Sequence, residues 1–458
     1  MEFVHRPYDP QSTVAAIATP PGEGGVAIIR ISGSDALAVA SRVFSGDIHS
    51  FASHTAHYGK FLDRMGAIID SGLALVMRAP RSYTGEPTVE FHCHGGSLIS
   101  RRVLDAALAA GARAAEPGEF TFRAFMNGKL DLAQAEAVQS AISARNELAL
   151  GAAGKQLEGA LSKKIAHFQQ ALVDSASTLE AWVDFPEEGL EFTTLDAIIE
   201  SLSITLLEMR ALEATFSHGR FIQEGLSLCL AGRPNAGKSS LMNALLGYDR
   251  AIVTPIPGTT RDVLQEDLRL GQLHFRLCDT AGIRETEETI EQEGIRRTKK
   301  AMEEADIVLL VVDAQQVGQA EERSLIAAAL PQKTILAWNK VDLPHPPLPD
   351  LEGWKQVPVS AKMGWGLPEL QDAIEQLIWQ NGPPSKEEVV ITNVRHKEAL
   401  SSACHYLAQL IDGLKAGVSP EFLSADMRAC LLELGTIIGA NITEDILNSI
   451  FSKFCIGK

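Results

Sequence analysis

The chain has 458 residues, which at ordinary domain sizes corresponds to roughly two to four domains with packed cores. Apolar residues make up 45% of the sequence and charged residues 22%, a balance that excludes wholesale disorder. The formal net charge of −17 argues against a protein that coats nucleic acid by bulk electrostatics, and it leaves only a local basic patch for such contacts.

Apolar runs and cysteines indicate where the protein works. The apolar run 307–312 is far shorter than the ~20 residues that a membrane span needs. The N-terminal residues carry charges and prolines where a signal peptide would have its apolar stretch. The 6 cysteines form no Cys-x-x-Cys pair, which disfavours a disulfide framework or a zinc knuckle. We therefore expect a cytoplasmic protein with no membrane partner.

The residue pattern of the first half of the chain changes once, from β-rich runs to helical spacing. Residues 1–125 mix β-rich runs with glycine and proline turns and one Ala/Leu helix near 98–110, which predicts an α+β domain. The β-rich runs are 26–31, 73–77 and 88–93. Residues 126–222 have helical spacing and contain no proline before Pro186, so we expect the first part of a helical domain there.

The second half begins with strands that alternate with helices. The β-rich runs of residues 223–381 are 226–231, 273–278, 307–312, 334–338 and 356–359. Such alternation is typical of a parallel sheet covered on both faces. Helical texture returns at 382–458. We expect a multidomain α/β and α chain whose discontinuous helical domain contains an inserted α/β domain; four domains in series are the alternative.

A phosphate-binding motif opens the inserted domain. Gly232-Arg-Pro-Asn-Ala-Gly237-Lys238-Ser239 fits G-x-x-x-x-G-K-[ST], follows an apolar strand and precedes a helix. Its glycines allow backbone N–H groups to surround phosphate oxygens, and the helix N-terminus adds partial positive charge. Lys238 is expected to reach the β- and γ-phosphates, and Ser239 to ligate Mg²⁺. A glycine-rich turn without nucleotide is the alternative.

Three further motifs follow strands in the order that a GTPase needs. Asp279-Thr-Ala-Gly282 would hold the Mg²⁺ shell and sense the γ-phosphate. Asn339-Lys340-Val341-Asp342 would recognise the base, because Asp342 can accept two hydrogen bonds that guanine offers and adenine does not. Ser360-Ala361-Lys362 would support that base. Together these motifs predict a Ras-like P-loop GTPase domain.

The sequence also contains candidates for a switch loop and for the group that orients the attacking water. In the segment between the helix that follows the phosphate-binding motif and the next strand, we choose Thr260 as the second Mg²⁺ ligand, and Thr259 is the alternative. Ile283 stands where many GTPases have a glutamine that orients water, so either another group orients the water or hydrolysis is very slow. The carboxylates of residues 285–293 are candidates for that group, and the pattern does not select one of them. We also hypothesise that K⁺ replaces an arginine finger, with Asn235 and the 254–259 loop as ligands; Arg261, Arg284 or a partner arginine are alternatives.

Segments outside the inserted domain carry a more specific pattern. They are ATPPGEGGVAIIRISG (18–33), SYTGE (82–86), VEFHCHGG (89–96), EPGEF (116–120), KLDLAQAE (129–136) and FCIGK (454–458). With the GTPase motifs, they make the chain resemble the bacterial tRNA-modification GTPases of the MnmE (TrmE) family over essentially its whole length. The boundaries that follow are 1–125, 126–222, 223–381 and 382–458.

The resemblance implies a particular activity and particular partners. Residues 1–125 would form a domain similar to tetrahydrofolate-binding aminomethyltransferases, through which the chain would form a homodimer. Family members work with the FAD protein MnmG, in a heterotetramer whose FAD is on the partner. Together they would install an aminomethyl or carboxymethylaminomethyl group on C5 of the wobble uridine of certain tRNAs. The one-carbon unit would come from a 5-formyl or methylene tetrahydrofolate.

The resemblance also assigns residues. Arg30, Glu90, Lys129 and Lys458 would contact the folate, with Cys455 close to them, and Glu291 would orient the attacking water. Mg²⁺ would take Ser239 and Thr260, and K⁺ would take Asn235, Thr254, Ile256 and Thr259. The residues expected around GTP are Asn235, Ala236, Gly237, Lys238, Ser239, Ser240, Thr254, Pro255, Ile256, Pro257, Gly258, Thr259, Thr260, Asp279, Thr280, Ala281, Gly282, Asn339, Lys340, Asp342, Ser360, Ala361 and Lys362.

Two departures and one alternative function remain. Pro255 and Pro257 stiffen the K⁺ loop, and Pro87 follows the 82–86 motif, so the local backbone can differ from the family's there. The alternative is a regulatory GTPase that acts in ribosome assembly without modification chemistry of its own; it would need the GTPase motifs but not the folate residues.

Overall fold

The computed structural model describes most of the chain. The described residues are 9, 12–184, 194–248, 267–270, 273–278, 291–379, 388–418, 420–440 and 442–458. They form two compact units. The first unit comprises residues 1–142, 154–210 and 398–458, and the second comprises 143–153 and 211–397. The domain boundaries that we placed at 125, 222 and 381 stay predictions.

Strands and helices together make up most of the described residues. The strands are β1 (Val14–Ile17), β2 (Val26–Ser32), β3 (Thr55–Leu62), β4 (Ile68–Met77), β5 (Thr88–His94), β6 (Arg113–Ala114), β7 (Leu226–Ala231), β8 (Asp267–Leu270), β9 (Leu273–Cys278), β10 (Ile307–Asp313), β11 (Thr334–Asn339) and β12 (Lys355–Pro358). The helices are α1 (Ala36–Val43), α2 (Ser97–Ala109), α3 (Glu119–Met126), α4 (Leu132–Ser143), α5 (Glu147–Leu157), α6 (Ala160–Asp184), α7 (Leu195–Ala214), α8 (Phe216–Glu224), α9 (Lys238–Tyr248), α10 (Glu291–Glu304), α11 (Ala320–Ala328), α12 (Leu367–Ile378), α13 (Val394–Lys415), α14 (Pro420–Ile438) and α15 (Glu444–Phe451). None of these helices is long and apolar enough to cross a membrane.

The first unit is built on a mainly antiparallel sheet with the strand order β3-β4-β5-β2-β1-β6. Side chains alternate between its faces, so that Ile29 and Ile31 of β2 and Phe91 of β5 point into one core beneath α1 and α2. The neighbouring residues Arg30 and Glu90 point to the opposite face. Because β2 and β5 pair with these two residues opposite each other, the strand register itself brings the two charges together.

A buried charged cluster joins α3 to the loop before β5. Arg123 is completely buried, and its guanidinium donates to Glu86 at 3.0 Å and to Glu119 at 3.0 Å. Glu119 also accepts from Arg113 at 2.8 Å. The same Arg123 Nη1 donates to the carbonyl of Ser12 at 2.9 Å, which ties the start of the chain to α3. A buried guanidinium needs such partners, because an unpaired charge in the interior is strongly destabilising.

The second unit has the sheet that the alternating pattern predicts. Its strand order is β12-β11-β10-β7-β9-β8, and all pairs are parallel except the edge pair β8 and β9. Leu228, Leu309 and Ile335 face α9 and α12 on one side of the sheet. Trp338 and its neighbours face α10 and α11 on the other side. Burial on both faces explains why these strands are almost continuously apolar.

Candidate functional site

The phosphate loop of the second unit lies between β7 and α9. Gly232 and Gly237 have φ angles of 144° and 93°, a region that favours glycine. A Cβ on Gly232 would stand 2.3 Å from the carbonyl oxygen of Val311, and one on Gly237 would stand 2.2 Å from Asn339 Nδ2. The loop therefore packs directly against the carboxyl ends of β10 and β11, where ligands of open parallel sheets bind.

Lys238 lies over this loop. Its ammonium donates to the carbonyl oxygens of Gly232 at 2.9 Å and Arg233 at 2.8 Å. An ammonium has three donors, so one remains for a phosphate oxygen. Burial lowers the pKa of Lys238. Ser239 and Ser240 are exposed in the first turn of α9, which contains no acidic residue, so the positive end of that helix is open to an anion.

The motif of residues 339–342, predicted to recognise the base, contacts the phosphate loop through its first two residues. Asn339 is 2% exposed, and its Nδ2 donates to the carbonyl oxygen of Ala236 at 2.9 Å. Its Oδ1 accepts from the backbone N–H of Ala361 at 3.0 Å. One asparagine thus connects two motifs that are far apart in the sequence. The next residue, Lys340, donates to the carbonyl oxygen of Asn235 at 2.9 Å.

The carboxylate of Asp342, predicted to recognise guanine, is held by a neighbouring hydroxyl. Its Oδ1 accepts from the hydroxyl of Ser360 at 2.7 Å, while Ser360 itself is completely buried and also accepts from the N–H of Met363 at 3.1 Å. The hydroxyl fixes one carboxylate oxygen and leaves acceptor capacity for donors of the base. Lys362, the last residue of the third motif, is exposed.

Several predicted residues lie outside the described part of the chain. They are Thr254, Pro255, Ile256, Pro257, Gly258, Thr259, Thr260, Asp279, Thr280, Ala281 and Gly282. Glu291 is the first residue of α10, but its side chain likewise falls outside the described part. The roles assigned to them stay predictions. Among the described residues, no group of three or more His, Cys, Asp or Glu side chains could hold a metal ion.

A second cluster of predicted residues lies in the first unit. Arg30 Nε donates to Glu90 Oε1 at 2.7 Å. The Arg30 guanidinium lies 5.7 Å from the ring centroid of Tyr83 and 5.5 Å from that of Phe120, within range of a cation–π interaction. Both charged side chains are mostly buried, with 17% and 12% of their surfaces exposed. An ion pair held this firmly presents a defined surface to a ligand.

The C-terminus of the chain lies beside this pair. Phe120 N–H donates to the carbonyl oxygen of Lys458 at 3.1 Å, and Arg30 Nη1 donates to that of Gly457 at 3.5 Å. Gly457 has a φ of 95°, and a Cβ there would stand 2.4 Å from the carbonyl oxygen of Ile17. Only glycine fits so close to the end of β1. Cys455 is exposed. The structure therefore brings Arg30, Glu90 and the last residues of the chain together.

Lys129 is placed by a different segment. Its Nζ donates to the carbonyl oxygen of Pro80 at 3.3 Å, and its aliphatic stem lies against Gly85. The cluster also has two members that the sequence reasoning did not assign to it, Tyr83 and His92. Burial raises the pKa of Tyr83, whose hydroxyl pairs with Thr121 at 2.8 Å. The alternation of side chains along β5 is the signal that places His92 on the face of Glu90.

Two family models match the chain. The family model for the GTP-binding protein TrmE N-terminus matches residues 13–129, and the model for the MnmE helical domain matches residues 132–455. The second match extends on both sides of the parallel sheet, as an inserted domain requires.

Relatives match the whole chain. The tRNA modification GTPase MnmE of Protochlamydia amoebophila is 61% identical over 458 residues, which is 100% of both chains. That of Chlamydia trachomatis serovar L2 is 45% identical and covers 97% of this chain and 99% of its own. Among solved structures, the G domain of the T. maritima FeoB iron transporter is 27% identical over 33% of this chain and 98% of its own, with a TM-score of 0.24. The full-length identity to the MnmE relatives confirms the resemblance inferred from the sequence, and the chain belongs to the MnmE family of tRNA modification GTPases, which are GTP hydrolases.

Proposed function

We propose that the chain couples GTP hydrolysis to the transfer of a folate-borne one-carbon unit onto C5 of the tRNA wobble uridine, together with the FAD protein MnmG. The observation that carries this proposal is the meeting of Arg30 and Glu90 with the C-terminal residues in one unit. A GTPase that only regulates ribosome assembly has no need of such a cluster. The cytoplasmic location expected from the sequence belongs to the same proposal.

The donor set of the cluster fits a tetrahydrofolate. Glu90 Oε1 accepts from Arg30, but its Oε2 lies 3.5 Å from His92 Nε2, beyond an ordinary hydrogen bond. This oxygen is therefore suited to accept from the N–H groups of a pterin. The guanidinium of Arg30 has five N–H donors, and those left over suit a carboxylate of the folate tail. Lys129 and Lys458 would add positive charge. When bound, the folate supplies the one-carbon unit, and these residues hold and orient it.

The metal ligands belong to the proposal as well. Ser239 is exposed at the start of α9, where a hydroxyl can reach a Mg²⁺ bound to phosphates. Asn235 is exposed too; its carbonyl oxygen is taken by Lys340, whereas no described residue donates to its side-chain oxygen. That oxygen is suited to K⁺. Thr260 for Mg²⁺, and Thr254, Ile256 and Thr259 for K⁺, complete the proposed ligands, and Glu291 would orient the water.

A second copy of the chain is the proposed partner of the first unit. The face of the sheet that carries Arg30 also exposes apolar side chains, Tyr58 at 76%, Val26 at 59% and Leu73 at 40%. Tyr58 and Leu73 lie opposite each other on β3 and β4, so they form one patch. Exposed apolar patches of this kind are typical of interaction surfaces. We assign it to the homodimer; MnmG and tRNA would bind elsewhere.

Arg30→Ala should weaken the binding of 5-formyltetrahydrofolate by about 10- to 100-fold, the effect of losing charge-assisted hydrogen bonds. Isothermal titration calorimetry measures this. Arg101→Ala is the matched control, because Arg101 is exposed on α2 of the same unit and, among the residues that the structure describes, pairs only with its helix neighbour Asp105; it should bind like the wild type. In a deletion strain, the wild-type gene should restore the modified wobble uridine and the Arg30→Ala gene should not. No heat of binding together with unchanged uridines in the deletion strain would favour the ribosome-assembly alternative.

Replacing KCl by NaCl at equal ionic strength should slow GTP hydrolysis at least about tenfold, because a cation of the right size would stabilise charge that develops between the β- and γ-phosphates. Phosphate release under single-turnover conditions checks this. Asn235→Ala should abolish most of the difference between the hydrolysis rates in KCl and in NaCl. Equal rates in both salts for the wild type would rule out the K⁺ site.

A further inference from the structure

Lys340 makes a second contact that lies outside all four GTPase motifs. Its ammonium lies 2.6 Å from Asp313 Oδ2 while it donates to the carbonyl oxygen of Asn235. Asp313 is the last residue of β10, and the parallel register places it beside Asn339 of β11. Two hydrogen bonds thus connect the carboxyl end of β10 to the phosphate loop, through Asp313, Lys340 and Asn235.

Asp313 is itself held in place. Its Oδ1 accepts from the backbone N–H of Gln315 at 3.0 Å, and only 13% of its side chain is exposed. With one oxygen bonded to the backbone and the other to Lys340, the carboxylate has a single orientation. It can therefore orient the long, flexible lysine side chain, whose ordering would otherwise cost conformational entropy.

Lys340 and Asn235, which this hydrogen bond joins, both have an unusual backbone conformation. Among the described residues, three that are not glycine have positive φ: His54, Asn235 and Lys340. Two of these three are therefore joined by the hydrogen bond from Lys340 to the Asn235 carbonyl. Backbone in this region persists only where its surroundings hold it, and it concentrates at functional sites.

From these contacts we propose that Asp313 is a positioning residue for guanine-nucleotide binding, which acts through Lys340 to keep the phosphate loop at Asn235 in its binding conformation. It does not touch the nucleotide. Lys340 bonds the backbone carbonyl of Asn235 and not the side-chain oxygen proposed for K⁺. Because the backbone of the loop holds the phosphates of GDP and of GTP alike, Asp313 contributes equally to ground state and transition state. Its loss should raise KM and leave kcat unchanged.

Asp313→Asn keeps the size of the side chain and removes its charge. We expect the Kd for GDP and the KM for GTP to rise about tenfold, as for one hydrogen bond to a charged group, with kcat within about twofold of the wild type. Fluorescent GDP titration and steady-state hydrolysis measure these quantities. Asp350→Asn, an exposed position in the β11–β12 loop, is the matched control and should leave all of them unchanged.

A double-mutant cycle separates positioning from a general effect on the fold. If Asp313 acts through Lys340, Asp313→Asn should change the Kd for GDP by less than about twofold when Lys340 is already methionine. A tenfold effect that persists in the Lys340→Met background would overturn the proposal, because the carboxylate would then act by another route. So would a fall in kcat with an unchanged KM, or a Kd for GDP equal to that of the wild type.

Discussion

Asp342→Asn should lower the affinity for GTP by roughly 10³-fold and make xanthosine triphosphate the preferred nucleotide, because a site built around specific hydrogen bonds rejects a ligand that lacks them. The Asp342 carboxylate only accepts hydrogen bonds, as the donors of guanine require, and Ser360 holds it in place at 2.7 Å. An asparagine presents an N–H₂ group, which opposes the guanine donors but suits the carbonyl of xanthine.

Competition between the two triphosphates for fluorescent GDP measures this exchange. Asp350→Asn makes the same chemical change at an exposed position and should leave the preference for guanine intact. Ser360→Ala should weaken binding of both nucleotides without exchanging their order, because it frees the carboxylate but keeps its charge. Equal loss of both nucleotides in Asp342→Asn would show that Asp342 does not read the base.

Arg123→Met should lower the free energy of unfolding of the first unit by about 3–5 kcal/mol, the effect of removing one partner from a buried charge cluster. Methionine approximates the volume of the stem, so the expected loss arises from the charges left behind. Glu86 and Glu119 would then lie in the interior with one guanidinium fewer between them.

Urea unfolding followed by circular dichroism, with GDP present, tests this expectation. Arg101→Met is the control, since the Arg101 side chain is 70% exposed and its pair with Asp105 lies in solvent, so the change should stay within about 0.5 kcal/mol. Equal changes in the free energy of unfolding for the two variants would show that the buried cluster contributes no net stability.

The effect of Arg123 should depend on pH through Glu119. Burial would raise the pKa of Glu119, but the hydrogen bond from Arg113, the N–H of Glu116 and the charge of Arg123 outweigh it and lower the pKa below its usual 4.5. A carboxyl whose pKa is depressed on folding stabilises the protein above its unfolded pKa, and this contribution is lost as the pH falls through the folded value. The difference in the free energy of unfolding between the wild type and Arg123→Met should therefore become smaller below about pH 4.5.

Parts of the fold were predictable because their signals are local. The runs 226–231 and 273–278 coincide with β7 and β9, and the helix expected near 98–110 is α2. Fully buried parallel strands have to be apolar along their whole length, so they are conspicuous in a sequence. The short edge strand β8 was missed, since its Asp-Leu-Arg-Leu sequence has neither the length nor the β-branched residues of a strong strand.

The sequence by itself determined the loop that follows β7, the motif predicted to recognise guanine and the strands that precede them along the chain, because each depends on residues within a few positions of one another. Only the tertiary structure decided that Arg30 meets Gly457 across 427 residues and that Lys340 meets Asn235 across 105. It alone also showed that Arg123 is buried between two carboxylates. Such contacts follow from how whole sheets and helices pack, and no local pattern of residue types encodes which distant carbonyl or carboxylate a side chain will find.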